Sequence, residues 1–122
     1  MTTRHEVETF LSDFKSKMRV FQILFRDERM KNTQSLLHME MTPGARKKVI
    51  EGLTSEDYSE GPLTDTLYDI ASTWVFGKQI RKGIEIYIKI SMGRPNQQVI
   101  CISFHLSEHP MSYPFKTPTK HE

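Results

Sequence analysis

Two neighbouring segments near the C-terminus alternate between apolar and polar residues. Residues 84–90 read Ile-Glu-Ile-Tyr-Ile-Lys-Ile, and residues 99–105 read Val-Ile-Cys-Ile-Ser-Phe-His, with apolar residues at the even positions of both. A period of two is typical of a β-strand that has one buried face and one polar face. A short loop around Arg94-Pro95-Asn96 separates the segments, so the pattern predicts an antiparallel hairpin.

The register of this hairpin follows if both apolar sets stay on one side of the sheet, because a slip of one residue would expose one of them. The predicted core pairs are Ile90 with Ile100, Ile88 with Ile102 and Ile86 with Phe104. The predicted pairs on the opposite face are Lys89 with Cys101, Tyr87 with Ser103 and Glu85 with His105. An acid, a phenol, an amine, a hydroxyl and an imidazole would then share one sheet surface, which is a candidate reaction site.

The rest of the chain predicts helices in the first half and strands in the second. An amphipathic helix is expected from about Thr3 to Met18, with apolar residues at Val7, Phe10, Leu11, Phe14 and Met18. The later elements are predicted to be a strand at 20–25, a short helix around 35–37, a helix from Thr42-Pro43 to about Gly52, a loop at 54–62 and a strand at 73–79. This order predicts an α+β fold, with N-terminal helices packed on a small antiparallel sheet that ends in a three-strand meander.

The length of 122 residues suits a single domain, which we assign to residues 1–105, followed by a proline-containing tail at 106–122. The single cysteine, Cys101, excludes a disulfide framework and a cysteine-based zinc site within one chain. No segment approaches the roughly 18 consecutive apolar residues of a membrane helix, and the N-terminus is too polar for a signal peptide. We therefore expect a cytoplasmic protein with no membrane partner.

His105 is the first candidate for chemistry, because imidazole is the usual general acid or base near neutral pH. Tyr87 and Lys89 are predicted on the same face, where the phenol would contact RNA and the ammonium would neutralise a phosphate. The plainer interpretation is a surface histidine at a strand end and a solvated strand face. His109 is close enough in sequence to fold back near His105.

Basic residues at strand ends and turns predict an RNA-binding rim around the same sheet. They are Lys78, Arg81, Lys82 and Arg94. A rim of this kind suits an RNA backbone, but a net charge of +2 permits nucleic-acid binding without requiring it. The sequence contains no metal-binding motif, no phosphate-binding glycine loop and no dinucleotide fingerprint. This leaves metal-free acid–base catalysis without a cofactor, or binding alone.

Four short motifs follow one another over residues 40–105. They are Ile50-Glu51-Gly52-Leu53-Thr54-Ser55-Glu56-Asp57-Tyr58, the strand at Trp74, Ile86-Tyr87-Ile88-Lys89-Ile90, and Val99-Ile100-Cys101-Ile102-Ser103-Phe104. In this order they resemble the MqsR family of bacterial type II toxins. The resemblance implies a RelE-like α+β fold and a metal-independent ribonuclease that cuts messenger RNA and is neutralised by a protein antitoxin.

The resemblance also implies roles for individual positions. Tyr87 matches a functional tyrosine of the family, and His105 stands where the family has a lysine. Glu60 stands near a second family lysine, and Val75 stands at a family glutamine. Related RelE-like toxins often place a histidine near this strand end, which implies an acid–base role for His105, while Lys78, Arg81 or Lys89 would take over the phosphate contacts.

The expected function is therefore a metal-independent mRNA endoribonuclease, with His105, Tyr87 and Lys89 as its catalytic residues. Its expected partners are an mRNA substrate, a cognate protein antitoxin and, as an open alternative, a second copy of the chain. A non-catalytic RNA- or protein-binding module on the same fold is the second interpretation. A structural protein that binds a partner through its tail is the third.

Overall fold

A five-stranded sheet lies at the centre of the computed structural model, which describes residues 1–27, 30–64 and 70–116. The helices are α1 (Arg4–Phe21), α2 (Met30–Met39) and α3 (Ala45–Glu51), and a short 3-10 helix spans Ser55–Asp57. The strands are β1 (Ile23–Phe25), β2 (Tyr58–Leu63), β3 (Thr73–Arg81), β4 (Ile84–Ser91) and β5 (Val99–Leu106). The predicted α+β class is confirmed.

The sheet has the order β1-β5-β4-β3-β2, so it contains two strands more than the predicted three-strand meander. The meander β3-β4-β5 is antiparallel, but β1 pairs with β5 in parallel. The other addition, β2, comes from a segment predicted to be a loop because it contains Gly61 and Pro62. Edge strands tolerate proline and glycine, and β2 is an irregular edge strand with two shifts in its register.

Helix α1 supplies much of the hydrophobic core. Its first turn is closed by a capping box, in which the Thr3 hydroxyl accepts from the amide of Glu6 and the Glu6 carboxylate accepts from the amide of Thr3. All five predicted apolar positions of this helix are buried. Phe10 stacks on Trp74 of β3, with ring centroids 4.4 Å apart. The helix continues to Phe21, which shortens the predicted strand at 20–25 to three residues. None of the helices in the described ranges is long and apolar enough to cross a membrane.

Helix α2 covers the edge of β5 beyond Cys101, where β1 no longer pairs with it. The Asn32 amide is 1% exposed; its nitrogen donates to the carbonyl of Ile102 (3.1 Å) and its oxygen accepts from the amide of Phe104 (3.0 Å). One helical turn later, the Ser35 hydroxyl accepts from the amide of Leu106 (2.9 Å). These side chains take the place of a neighbouring strand beyond the end of β1, and they hold the backbone on both sides of His105.

The register between β4 and β5 differs from the predicted one. Tyr87 pairs with His105, and Lys89 pairs with Ser103, which is a displacement of two residues along β5. An irregularity after Lys89 then pairs Ile90 with Cys101. Because an inserted residue reverses the alternation, Cys101 belongs to the core cluster and Ile100 does not. The prediction was wrong in these pairs because an alternating sequence pattern does not reveal a bulge.

Candidate functional site

A cleft of about 480 Å³ opens on the face of the sheet away from α1. Side chains of the sheet form its floor: Val75, Tyr87, Lys89, Ser103 and His105. Ser59 and Glu60 of β2 lie on one side, Lys31 of α2 lies at the rim, and the segment 107–112 that follows β5 forms a further wall. The cleft therefore combines groups from four strands, one helix and the tail.

His105 and Tyr87 form the centre of the floor. They are direct neighbours on β5 and β4, and their rings stack with centroids 5.1 Å apart and planes inclined by 12°. The imidazole is 6% exposed, and its Nδ1–H donates to the carbonyl of Leu106 at 2.9 Å. Nε2 therefore carries the lone pair of the neutral ring. An imidazole with a fixed tautomer and a fixed plane is suited to proton transfer at Nε2.

Lys89 belongs to the next cross-strand row of the floor. It pairs with Ser103 on one side and with Val75 on the other, and Val75 in turn pairs with Glu60. Residues two apart on a strand share a face and lie about 7 Å apart, so the ammonium of Lys89 and the phenol of Tyr87 point into the same cleft. The floor thus places a cation beside the stacked pair, which suits an anionic substrate.

An ion pair bridges the rim of the cleft. Lys31 Nζ donates to the Glu108 carboxylate at 2.9 Å. The hydrogen bond from Lys31 lowers the pKa of Glu108, with smaller contributions from the charges of Lys31, His105 and His109. Lys31 was missed from the sequence, because only the position of α2 brings it to the cleft. His109 does line the cleft, as its closeness in sequence to His105 suggested.

The predicted RNA-binding residues do not come together at this cleft. Lys78 pairs with Asp57 at 3.3 Å, and Arg81 donates to the carbonyl of Met39 at 2.6 Å. Lys82 lies exposed in the turn between β3 and β4, and Arg94 lines a separate depression near Phe21. Within the described chain, the lysines at the cleft are instead Lys31 and Lys89, and they lie there with His105 and His109.

Two other residues predicted beside the site lie elsewhere. Cys101 is 1% exposed within the core, and burial raises the pKa of its thiol to about 12. Glu85 is not opposite His105; its backbone carbonyl accepts from the amide of Ser107, and its carboxylate accepts from the Tyr113 hydroxyl at 2.5 Å. Neither residue therefore joins the stacked pair in the cleft.

The described side chains do not assemble a metal site: no three His, Cys, Asp or Glu groups within residues 1–27, 30–64 and 70–116 come together to hold an ion. The titratable groups that the cleft offers are two imidazoles, a phenol, two ammonium groups and two carboxylates. The chain matches no protein-family model, no curated protein and no solved structure. Its function is therefore inferred from these side chains.

Proposed function

We propose that the protein is a metal-independent endoribonuclease whose active site is the cleft around Tyr87 and His105. One observation carries this proposal. The His105 ring is fixed by its Nδ1–H bond to Leu106 and by its stack on Tyr87, in a cleft that also contains Lys89. Proton transfer beside a cation is what cleavage of a phosphodiester by its own 2′-hydroxyl requires.

In the proposed reaction the ribose 2′-oxygen attacks the adjacent phosphorus, and the bond from phosphorus to the 5′-oxygen breaks. His105 Nε2 takes the proton of the 2′-hydroxyl and returns it to the leaving 5′-oxygen. Lys89 stabilises the negative charge on the phosphorane, and Tyr87 orients the substrate. The products are a 2′,3′-cyclic phosphate and a 5′-hydroxyl end, with no redox change and no co-reactant.

The biological setting that we propose is a toxin of a type II toxin–antitoxin system with a RelE-like fold. Messenger RNA in the cytoplasm is the proposed substrate, and a cognate protein antitoxin is the proposed partner. Support comes from the α+β architecture, from the four motifs between residues 50 and 104, and from the position of Tyr87 within one of them.

The direct test is cleavage of RNA by purified protein in the presence of EDTA, both on naked transcripts and in a translating extract. We expect His105→Ala to lower the cleavage rate by about 10²-fold or more, the usual contribution of a general acid–base group. His5→Ala is the matched control, because His5 is an exposed histidine in the first turn of α1, on the opposite face of the sheet.

Two results would contradict this proposal. One is wild-type protein that leaves RNA intact under both conditions. The other is a His105→Ala variant that cleaves as fast as the His5→Ala control. Salt-dependent binding of RNA without cleavage would favour the non-catalytic RNA-binding module instead.

A further inference from the structure

The segment Glu108–Lys116, called the strap below, crosses the open face of the sheet after β5. Met111 and Tyr113 of the strap lie directly over Gly77 of β3. A Cβ atom at position 77 would overlap the hydroxyl of Tyr113 and would lie 2.7 Å from the sulfur of Met111. Glycine inside a strand often marks a place where another group approaches the backbone closely. Met111 and Tyr113 of the strap therefore pack on Gly77, where no side chain keeps them away from the strand.

Two further contacts hold the strap on the sheet. The Tyr113 hydroxyl donates to the Glu85 carboxylate at 2.5 Å, and the Phe115 ring stacks on Tyr58 with centroids 5.4 Å apart. Burial, followed by the hydrogen bond to Glu85, raises the pKa of Tyr113, so its hydroxyl keeps the proton that it donates wherever an ordinary tyrosine stays protonated. The strap is thus fixed to β3, to β4 and to β2.

Gly77 lies next to the stacked rings of Tyr87 and His105. Gly77 pairs with Tyr87, and Tyr87 pairs with His105, so the three residues form one cross-strand row. The strap fills the space that a side chain at position 77 would occupy, and its residues 108–112 line the cleft. Without the strap, the backbone at Gly77 would lie uncovered beside Tyr87.

We propose that the strap is a positioning element of the site, held in place by Met111 and Tyr113 on Gly77, and that its wall confines RNA against His105. This inference rests on the proposed ribonuclease function. It assigns a role to Gly77, Met111 and Tyr113, none of which exchanges a proton with the substrate.

The test combines the single variants Gly77→Ala and Tyr113→Phe with the double variant. In Gly77→Ala the new methyl group must displace the Tyr113 hydroxyl and the Met111 sulfur. We expect this variant to lower kcat/KM by roughly 10- to 100-fold, the scale of a misplaced substrate, and to speed hydrogen exchange of the amides in residues 111–116. Tyr113→Phe removes the hydrogen bond to Glu85 that fixes the strap to β4, so it should also lower kcat/KM and speed exchange of these amides. The double variant should be no better than either single variant, because the Met111 sulfur still lies 2.7 Å from the new Cβ atom and the hydrogen bond to Glu85 is lost.

Gly44→Ala is the matched control, because no atom lies within 4 Å of a Cβ built at that glycine. If nothing packed on Gly77, replacing this strand glycine by alanine would be neutral or stabilising. Gly77→Ala that matches Gly44→Ala in kcat/KM and in exchange would overturn the inference, and so would Tyr113→Phe that matches Gly44→Ala in both. A wild-type protein that does not cleave RNA would overturn the proposed function as well. An active wild-type protein together with a Gly77→Ala variant of equal activity would overturn only the role of the strap.

Discussion

At the scale of single residues, a single irregularity in β5 decides which side chains reach the cleft. In a regular strand Cys101, Ser103 and His105 would share one face. The irregularity beside Lys89 turns Cys101 into the core and leaves Ser103 and His105 on the floor. The sequence pattern predicted the face of Tyr87, Lys89 and His105 because β4 alternates strictly. It could not predict the position of Cys101, since a bulge leaves no mark in an alternating pattern.

Cys101 offers a direct check of this placement. Burial raises the pKa of its thiol to about 12, whereas an ordinary thiol has a pKa near 8.5. The nucleophilic thiolate is therefore scarce in the folded protein at pH 8. We expect a disulfide reagent such as DTNB to modify Cys101 only after denaturant unfolds the chain. Modification of the native protein at the rate of the unfolded chain would show that the thiol lies on the open face.

At the scale of elements, α2 and β5 act as one unit. The hydrogen bonds of Asn32 and Ser35 to β5 replace those of a neighbouring strand, and Lys31 of the same helix pairs with Glu108 at the rim. The sequence predicted a short helix in this region. It could not predict the partners of that helix, because nothing local in a sequence shows that a side-chain amide will meet a strand far along the chain.

Asn32→Ala should therefore destabilise the protein. Each buried backbone group of β5 that loses its partner costs about 1–3 kcal/mol, so the free energy of unfolding should fall by several times the effect of a surface change. Leu37→Ala on the exposed side of α2 is the control, with an expected effect within about 0.5 kcal/mol. Denaturant unfolding measures both variants, and equal midpoints for the two would refute the role of Asn32.

At the scale of the whole molecule, the sequence predicted the α+β class, helix α1 and the hairpin β4-β5, because each has a strong local period. It missed β1 as a parallel partner of β5 and β2 as an edge strand. Both depend on contacts between distant segments, and β2 contains the glycine and proline that normally indicate a loop. The cleft also depends on contacts between distant segments. The sequence therefore predicted an RNA-binding rim of basic turn residues and did not indicate Lys31.

The distribution of cations over the molecule gives a prediction about RNA binding. Lys89 lies in the cleft, whereas Lys82 lies in an exposed turn away from it. We expect Lys89→Ala to weaken RNA binding and to reduce the slope of log K against log salt by about one, the effect of a lost phosphate contact. Lys82→Ala should leave the slope unchanged. Titrations at several salt concentrations measure both, and the reverse pattern would favour the basic turns as the RNA-binding surface.

We propose that the cleft of Tyr87 and His105 cleaves RNA through the ribose 2′-hydroxyl, which DNA lacks. The most direct measurement compares an RNA oligonucleotide with a DNA oligonucleotide of the same sequence, in EDTA, with analysis of the ends produced. We expect cleavage of the RNA alone, into fragments with 2′,3′-cyclic phosphate and 5′-hydroxyl ends, and loss of that cleavage in His105→Ala. Cleavage of the DNA, or RNA fragments with 5′-phosphate ends, would contradict it.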